Sequence, residues 1–96
     1  MKCMKISVEG VGATTSGTSA RSAIPNDSTG NKAKYVLICS GGTVFFLPGN
    51  SAVDATNSSP VVGADSPVLL DVSGHSHIAY LEGTTAARIT ITPVEF

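Results

Sequence analysis

His77-Ile78-Ala79-Tyr80-Leu81-Glu82, then Gly83-Thr84-Thr85, then Ala87-Arg88-Ile89-Thr90-Ile91-Thr92-Pro93 reads as a strand, a tight turn and a second strand. Ile89 and Ile91 fall on one face, and Arg88, Thr90 and Thr92 on the other, the period-2 pattern of a half-buried strand. Nothing in this stretch has the spacing of a chemical site. The rest of the chain repeats the pattern. No window carries apolar residues at i, i+3, i+4 and i+7, and β-branched and aromatic residues cluster in short runs broken by Gly, Pro, Ser and Thr.

Working outward from that stretch, strands over Lys34 to Cys39 and Thr43 to Leu47 flank Ser40-Gly41-Gly42. Two glycines at the centre of a tight turn supply the positive φ values of a type I′ hairpin, so the spacing predicts a hairpin here. Val44-Phe45-Phe46-Leu47 is apolar on both faces. Such a strand is either central in a sandwich or covered on its outer side by another subunit, and Phe46 is therefore a candidate partner contact. Residues 5–9, 19–24 and 68–72 complete a count of about seven short strands. Residues 10–18 are rich in Gly, Ser and Thr and read as a flexible arm or loop. Residues 50–67 read as a long loop pinned only by Val61-Val62. The expected core is Ile6, Val8, Val36, Ile38, Phe45, Leu47, Leu69, Ile78, Tyr80, Ile89 and Ile91.

With 96 residues, 42% hydrophobic and 14% charged, the chain makes one domain, residues 1–96, with a modest core. The pattern predicts an all-β fold, a small sandwich or barrel of jelly-roll or immunoglobulin-like form.

Net charge is −1, and the six Lys and Arg residues are scattered among seven acids. Nucleic-acid binding needs a cationic footprint, which this distribution lacks. The apolar runs are far shorter than the roughly 20 residues of a membrane helix, and Met1-Lys2-Cys3-Met4-Lys5 has no leader character. The expectation is a protein made in a cytoplasm, with no membrane partner.

Candidate chemistry is sparse. His75 and His77, two apart, point to one face of an extended chain, but a zinc site needs a third ligand that neither Asp71 nor Glu82 is compelled to provide. Cys3 and Cys39 have no CxxC spacing; they form one bridge or are buried thiols, with Cys39 read as a core residue. No serine sits in GxSxG or SxxK. The reading is therefore no enzyme, no catalytic residue, no cofactor and no metal. Arg21 and Arg88 interrupt small or apolar strands, so each reaches solvent, pairs with an acid such as Glu82 or Asp71, or anchors a partner surface.

Ser19-Ala20-Arg21-Ser22-Ala23-Ile24-Pro25, the Tyr35 to Phe46 segment with its Ser-Gly-Gly turn, His77-Ile78-Ala79 and Ala87-Arg88-Ile89-Thr90-Ile91-Thr92-Pro93 together resemble a family of small structural proteins of tailed bacteriophages. The resemblance spans residues 19–93. It implies a virion protein of the head surface, a decoration or cement protein bound to the major capsid protein, with a module of the tail or fibre as the alternative. The implied assembly is a homo-oligomer, with a trimer favoured because capsid lattices offer three-fold sites. The family's glycine-rich ending is replaced here by Val94-Glu95-Phe96, which makes Phe96 a candidate docking residue.

Overall fold

The computed structural model describes residues 10–95 and the backbone of residues 5–6. Cys3, Val8 and Phe96, and the side chain of Ile6, lie outside the described residues. Among the described residues all regular structure is β: β1 (Lys5–Ile6), β2 (Val11–Thr14), β3 (Ala20–Ala23), β4 (Tyr35–Ser40), β5 (Val44–Gly49), β6 (Val61–Val62), β7 (Val68–Asp71), β8 (His77–Glu82) and β9 (Arg88–Glu95).

Two antiparallel sheets form. In the first, β1 and β2 both pair with β9, which pairs with β4, which pairs with β7; the second runs β3-β8-β5-β6. Because β1 and β2 share one partner, they fill a single strand position, and the sandwich has four positions on each side. From β3 onward the chain changes sheet at every connection except β5 to β6. This alternation, with the orders β2-β9-β4-β7 and β3-β8-β5-β6, is the double Greek key of a jelly roll.

The core lies between the sheets. Val36 and Ile38 of β4 stand opposite Pro93 and Ile91 of β9, and all four are buried. From the other sheet come Val44, Phe46, Val62, Ile78 and Tyr80. Alternation along β4 and β9 therefore sorts the side chains as the sequence predicts. The radius of gyration, 12.5 Å, matches the about 12.5 Å of a compact chain of this length.

Three expectations are corrected. Neither expected hairpin forms: β4 and β5 lie in different sheets, as do β8 and β9, so residues 41–43 and 83–87 are arches that cross the end of the sandwich. Among the described residues positive φ occurs at Gly30 and Gly74, not at Gly41 or Gly42. The arches explain the glycines differently. They stack on one another, with the Gly83 N–H donating to Thr43 O (2.9 Å) and the Gly41 N–H to Arg88 O (2.8 Å). A Cβ on Gly83 would sit 2.8 Å from Thr43 O, so the approach itself demands glycine.

Residues 10–18 are not a free arm, since Val11–Thr14 is the strand beside β9. Thr15, 3% exposed, closes it. Within 50–67, Val61–Val62 is the edge strand beside β5, and Gly63 and Ser66 form an isolated bridge. The core list shifts as well. On β5 the buried residues are Val44 and Phe46, while Phe45 and Leu47 are half-buried on the outer side. On β7, Leu69 is 47% exposed and Leu70 packs inward instead.

Candidate interaction surfaces

Four side chains are the sequence-based contact candidates, and the fold sends them to different places. Phe46 is 4% exposed and packs in the core between the sheets, not on the surface. Its strand is interior to the four-stranded sheet, between β8 and β6, with Val44 and Phe46 turned to the core and Phe45 and Leu47 half-buried on the outer face. Phe96 lies outside the described residues.

Arg21 is tied down by its own chain. Its Nε donates to Val53 O (2.8 Å) and its Nη2 to Asp54 Oδ1 (2.9 Å), while the Ala55 N–H donates to Ser19 Oγ (2.8 Å). These bonds hold residues 53–55 against β3 as a strap, and Ala55 becomes buried. The acid that pairs with Arg21 is Asp54, not Glu82 or Asp71. Sequence distance hid this pairing.

Arg88 remains exposed, and among the described residues it makes no ion pair. It stands at the start of β9 on the outer face of the five-stranded sheet, and its guanidinium lies over Gly12. A Cβ there would come within 2.6 Å of Arg88 Nη2, so a side chain at position 12 would displace the guanidinium from its place over β2. Beside it, Cys39, Ser40, Gly41, Arg88 and Thr90 line a shallow hollow of about 280 Å³. Cys39 is half-buried on this outer face and is not a core residue.

Cross-strand register places Tyr35, Leu37, Cys39, Leu69, Thr90 and Thr92 together on that face. Asp71 sits at its far corner, opposite Tyr35. The Ser73 backbone N–H, donating to Asp71 Oδ1 (2.9 Å), holds the carboxyl below its ordinary range, with Lys34 and His75 adding smaller attractions.

A larger cleft, about 490 Å³, opens where the β3–β4 connection meets the end of β9, lined by Asp27, Asn31, Lys32, Lys34, Tyr35, Val94 and Glu95. Its loop wall is internally braced. The Thr29 hydroxyl donates to Asp27 Oδ1 (2.6 Å), which lowers the Asp27 pKa, helped by the N–H groups of Thr29 and Asn31. Ser28 Oγ reaches Glu95 (3.1 Å) and ties the loop to β9.

His77 Nδ1 shares a hydrogen bond with Ser76 Oγ (2.8 Å). Among the described residues, no three His, Cys, Asp or Glu side chains gather as a metal site. No helix of the described residues is long and apolar enough to cross a membrane. Comparisons with protein-family models, curated proteins and solved structures found no match to this chain.

Proposed function

We propose that this protein is a structural component of a tailed-phage virion, a decoration protein that binds the assembled head through the major capsid protein and stabilises it without chemistry. The observation that carries the reading is the jelly-roll strand order, an architecture used by viral capsid domains, joined to the sequence resemblance over residues 19–93. The argument from architecture is one of analogy, since a fold hosts many functions. It gains support from the outer face of the five-stranded sheet, where Leu69 stands 47% exposed among Tyr35, Leu37 and Cys39. Many copies on a repeating shell add their separate weak contacts by multivalency. The three-fold arrangement expected from capsid lattices belongs to this proposal and rests on the role, not on particular residues.

The test is to add purified protein to heads lacking it and to measure binding and resistance to heat. Saturable binding with a raised disruption temperature is expected. The second reading, a tail or fibre module that binds a glycan, is favoured by the cleft, where Tyr35 stands among Asn31, Lys32 and Lys34. Co-purification with tails, or binding to host-surface glycans with no affinity for heads, would replace the first reading by the second.

A further inference from the structure

We infer that the outer face of the five-stranded sheet is a self-complementary surface on which a second copy of this chain docks about a two-fold axis. The inference is independent of any virion role.

A two-fold contact requires each feature of a patch to meet its complement on the same patch. This face holds two such pairs. Arg88, a cation without an ion pair among the described residues, lies at one corner with its guanidinium spread over Gly12. Asp71, an exposed carboxylate held in its charged form by Ser73, lies at the opposite corner, across β9, β4 and β7. Leu69 protrudes from the face at 47% exposure, and the hollow between Cys39 and Thr90 is its counterpart.

One operation satisfies both pairs. With strands about 4.8 Å apart and about 3.4 Å per residue along each strand, the line from the Gly12 position to Asp71 has its midpoint between Leu37 and Thr92. A two-fold axis lying in the interface through that midpoint, perpendicular to the line, carries Arg88 of each copy over Asp71 of the other. The same rotation lays Leu69 of each copy onto the hollow beside Cys39 of the other. Lys34 and His75 also act on Asp71, so the incoming guanidinium competes with them, and apolar cover of Leu37, Leu69 and Tyr35 supplies the larger share of the attraction. The face, four strand positions about 4.8 Å apart and up to the eight residues of β9 long at about 3.4 Å each, spans about 500 Å², below the roughly 800 Å² per partner of a standard contact, so the dimer is a weak one that fills with concentration.

The experiment is sedimentation equilibrium of the full chain across micromolar to millimolar concentrations, with circular dichroism to confirm folding of each variant. The parent is expected to dimerise. Leu69→Glu, Arg88→Glu and Asp71→Arg should each raise the dissociation constant by about tenfold or more. An equimolar mixture of the Arg88→Glu and Asp71→Arg chains should recover the dimer, because a two-fold contact between them restores both charge pairs. A parent that stays monomeric throughout overturns the proposal, as does a dimer indifferent to Leu69→Glu or a mixture that fails to recover association. A trimer insensitive to all three substitutions would place self-association on another surface. Binding of the same variants to heads reads the decoration role separately.

Discussion

Thr15 and Ala87 exchange three hydrogen bonds where β2 ends and β9 begins: the Thr15 N–H donates to Ala87 O (2.8 Å), Thr15 Oγ1 donates to the same oxygen (3.0 Å), and the Ala87 N–H donates to Thr15 Oγ1 (2.9 Å). The hydroxyl thus serves as donor and acceptor at once, with Thr15 itself buried and Ala87 half-buried. Thr15→Val keeps the shape and removes both roles, leaving the Ala87 N–H without its acceptor. A loss of about 1–3 kcal/mol is expected in urea denaturation, with Thr15→Ser close to the parent. Equal stability of the Val and Ser variants would show that the hydroxyl contributes nothing.

Phe46 and Phe45 are neighbours with opposite fates. Phe46→Ala should cost about 3–5 kcal/mol, because it empties the space between the sheets. Phe45→Ala, on the half-buried outer side of β5, should cost clearly less. Thermal melts of the two variants settle the facing of the strand, and the reverse ranking would mean that β5 is turned over.

The strap formed by residues 53–55 hangs on Arg21. Its exposed ion pair with Asp54 contributes little to global stability, about 0–1 kcal/mol, so Arg21→Ala should leave the melting temperature almost unchanged. The local effect is larger. Hydrogen exchange at the Ala55 N–H, bonded to Ser19 Oγ, should accelerate while exchange within β4 and β9 stays slow. Unaltered exchange at Ala55 would show that the strap holds without Arg21.

Asp27 and Asp71 both have carboxyls lowered from the ordinary value of 3.8, the first chiefly by the Thr29 hydroxyl and the second by the Ser73 N–H. A group whose folded pKa lies below its unfolded pKa binds its proton more readily when unfolded. Its stabilising contribution is therefore present above the unfolded value near 3.8 and disappears as pH falls through the lower folded value. Stability should decline with acidification in that window. Asp27→Asn and Asp71→Asn should each make the decline shallower, as read from denaturation midpoints against pH. A slope unaltered in both variants would assign acid sensitivity to other groups.

The interaction surface was only partly legible from local sequence. Arg88 was visible as a cation in a strand of Ile and Thr, and its exposure follows from the alternation of β9. Its bed on Gly12 was not, because Gly12 belongs to a Gly- and Thr-rich stretch that carries no marker of pairing. Arg21 was equally visible, but its partner lies 33 residues away in a segment without period. The facing of Phe46 is illegible for a different reason: when both faces of a strand are apolar, alternation carries no sign, and only the register of β5 against β8, which sets Phe46 beside the buried Tyr80, decides which side faces the core.

What the sequence by itself determined is the all-β character, the places of the strands other than β2 and β6, and the inward faces of β4, β8 and β9, since alternation of apolar and polar residues is a local property of each strand. What only the tertiary structure decided is which strands pair. Ser40-Gly41-Gly42 and Gly83-Thr84-Thr85 serve equally as hairpin turns within one sheet or as arches between two. The choice rests on whether Ile38 and Ile91 bury more apolar surface side by side in one sheet, facing Ile78 and Phe46 in the other, than each would beside its neighbour in sequence. That comparison is a sum over the whole core. The short turn that begins each crossing contains no part of it.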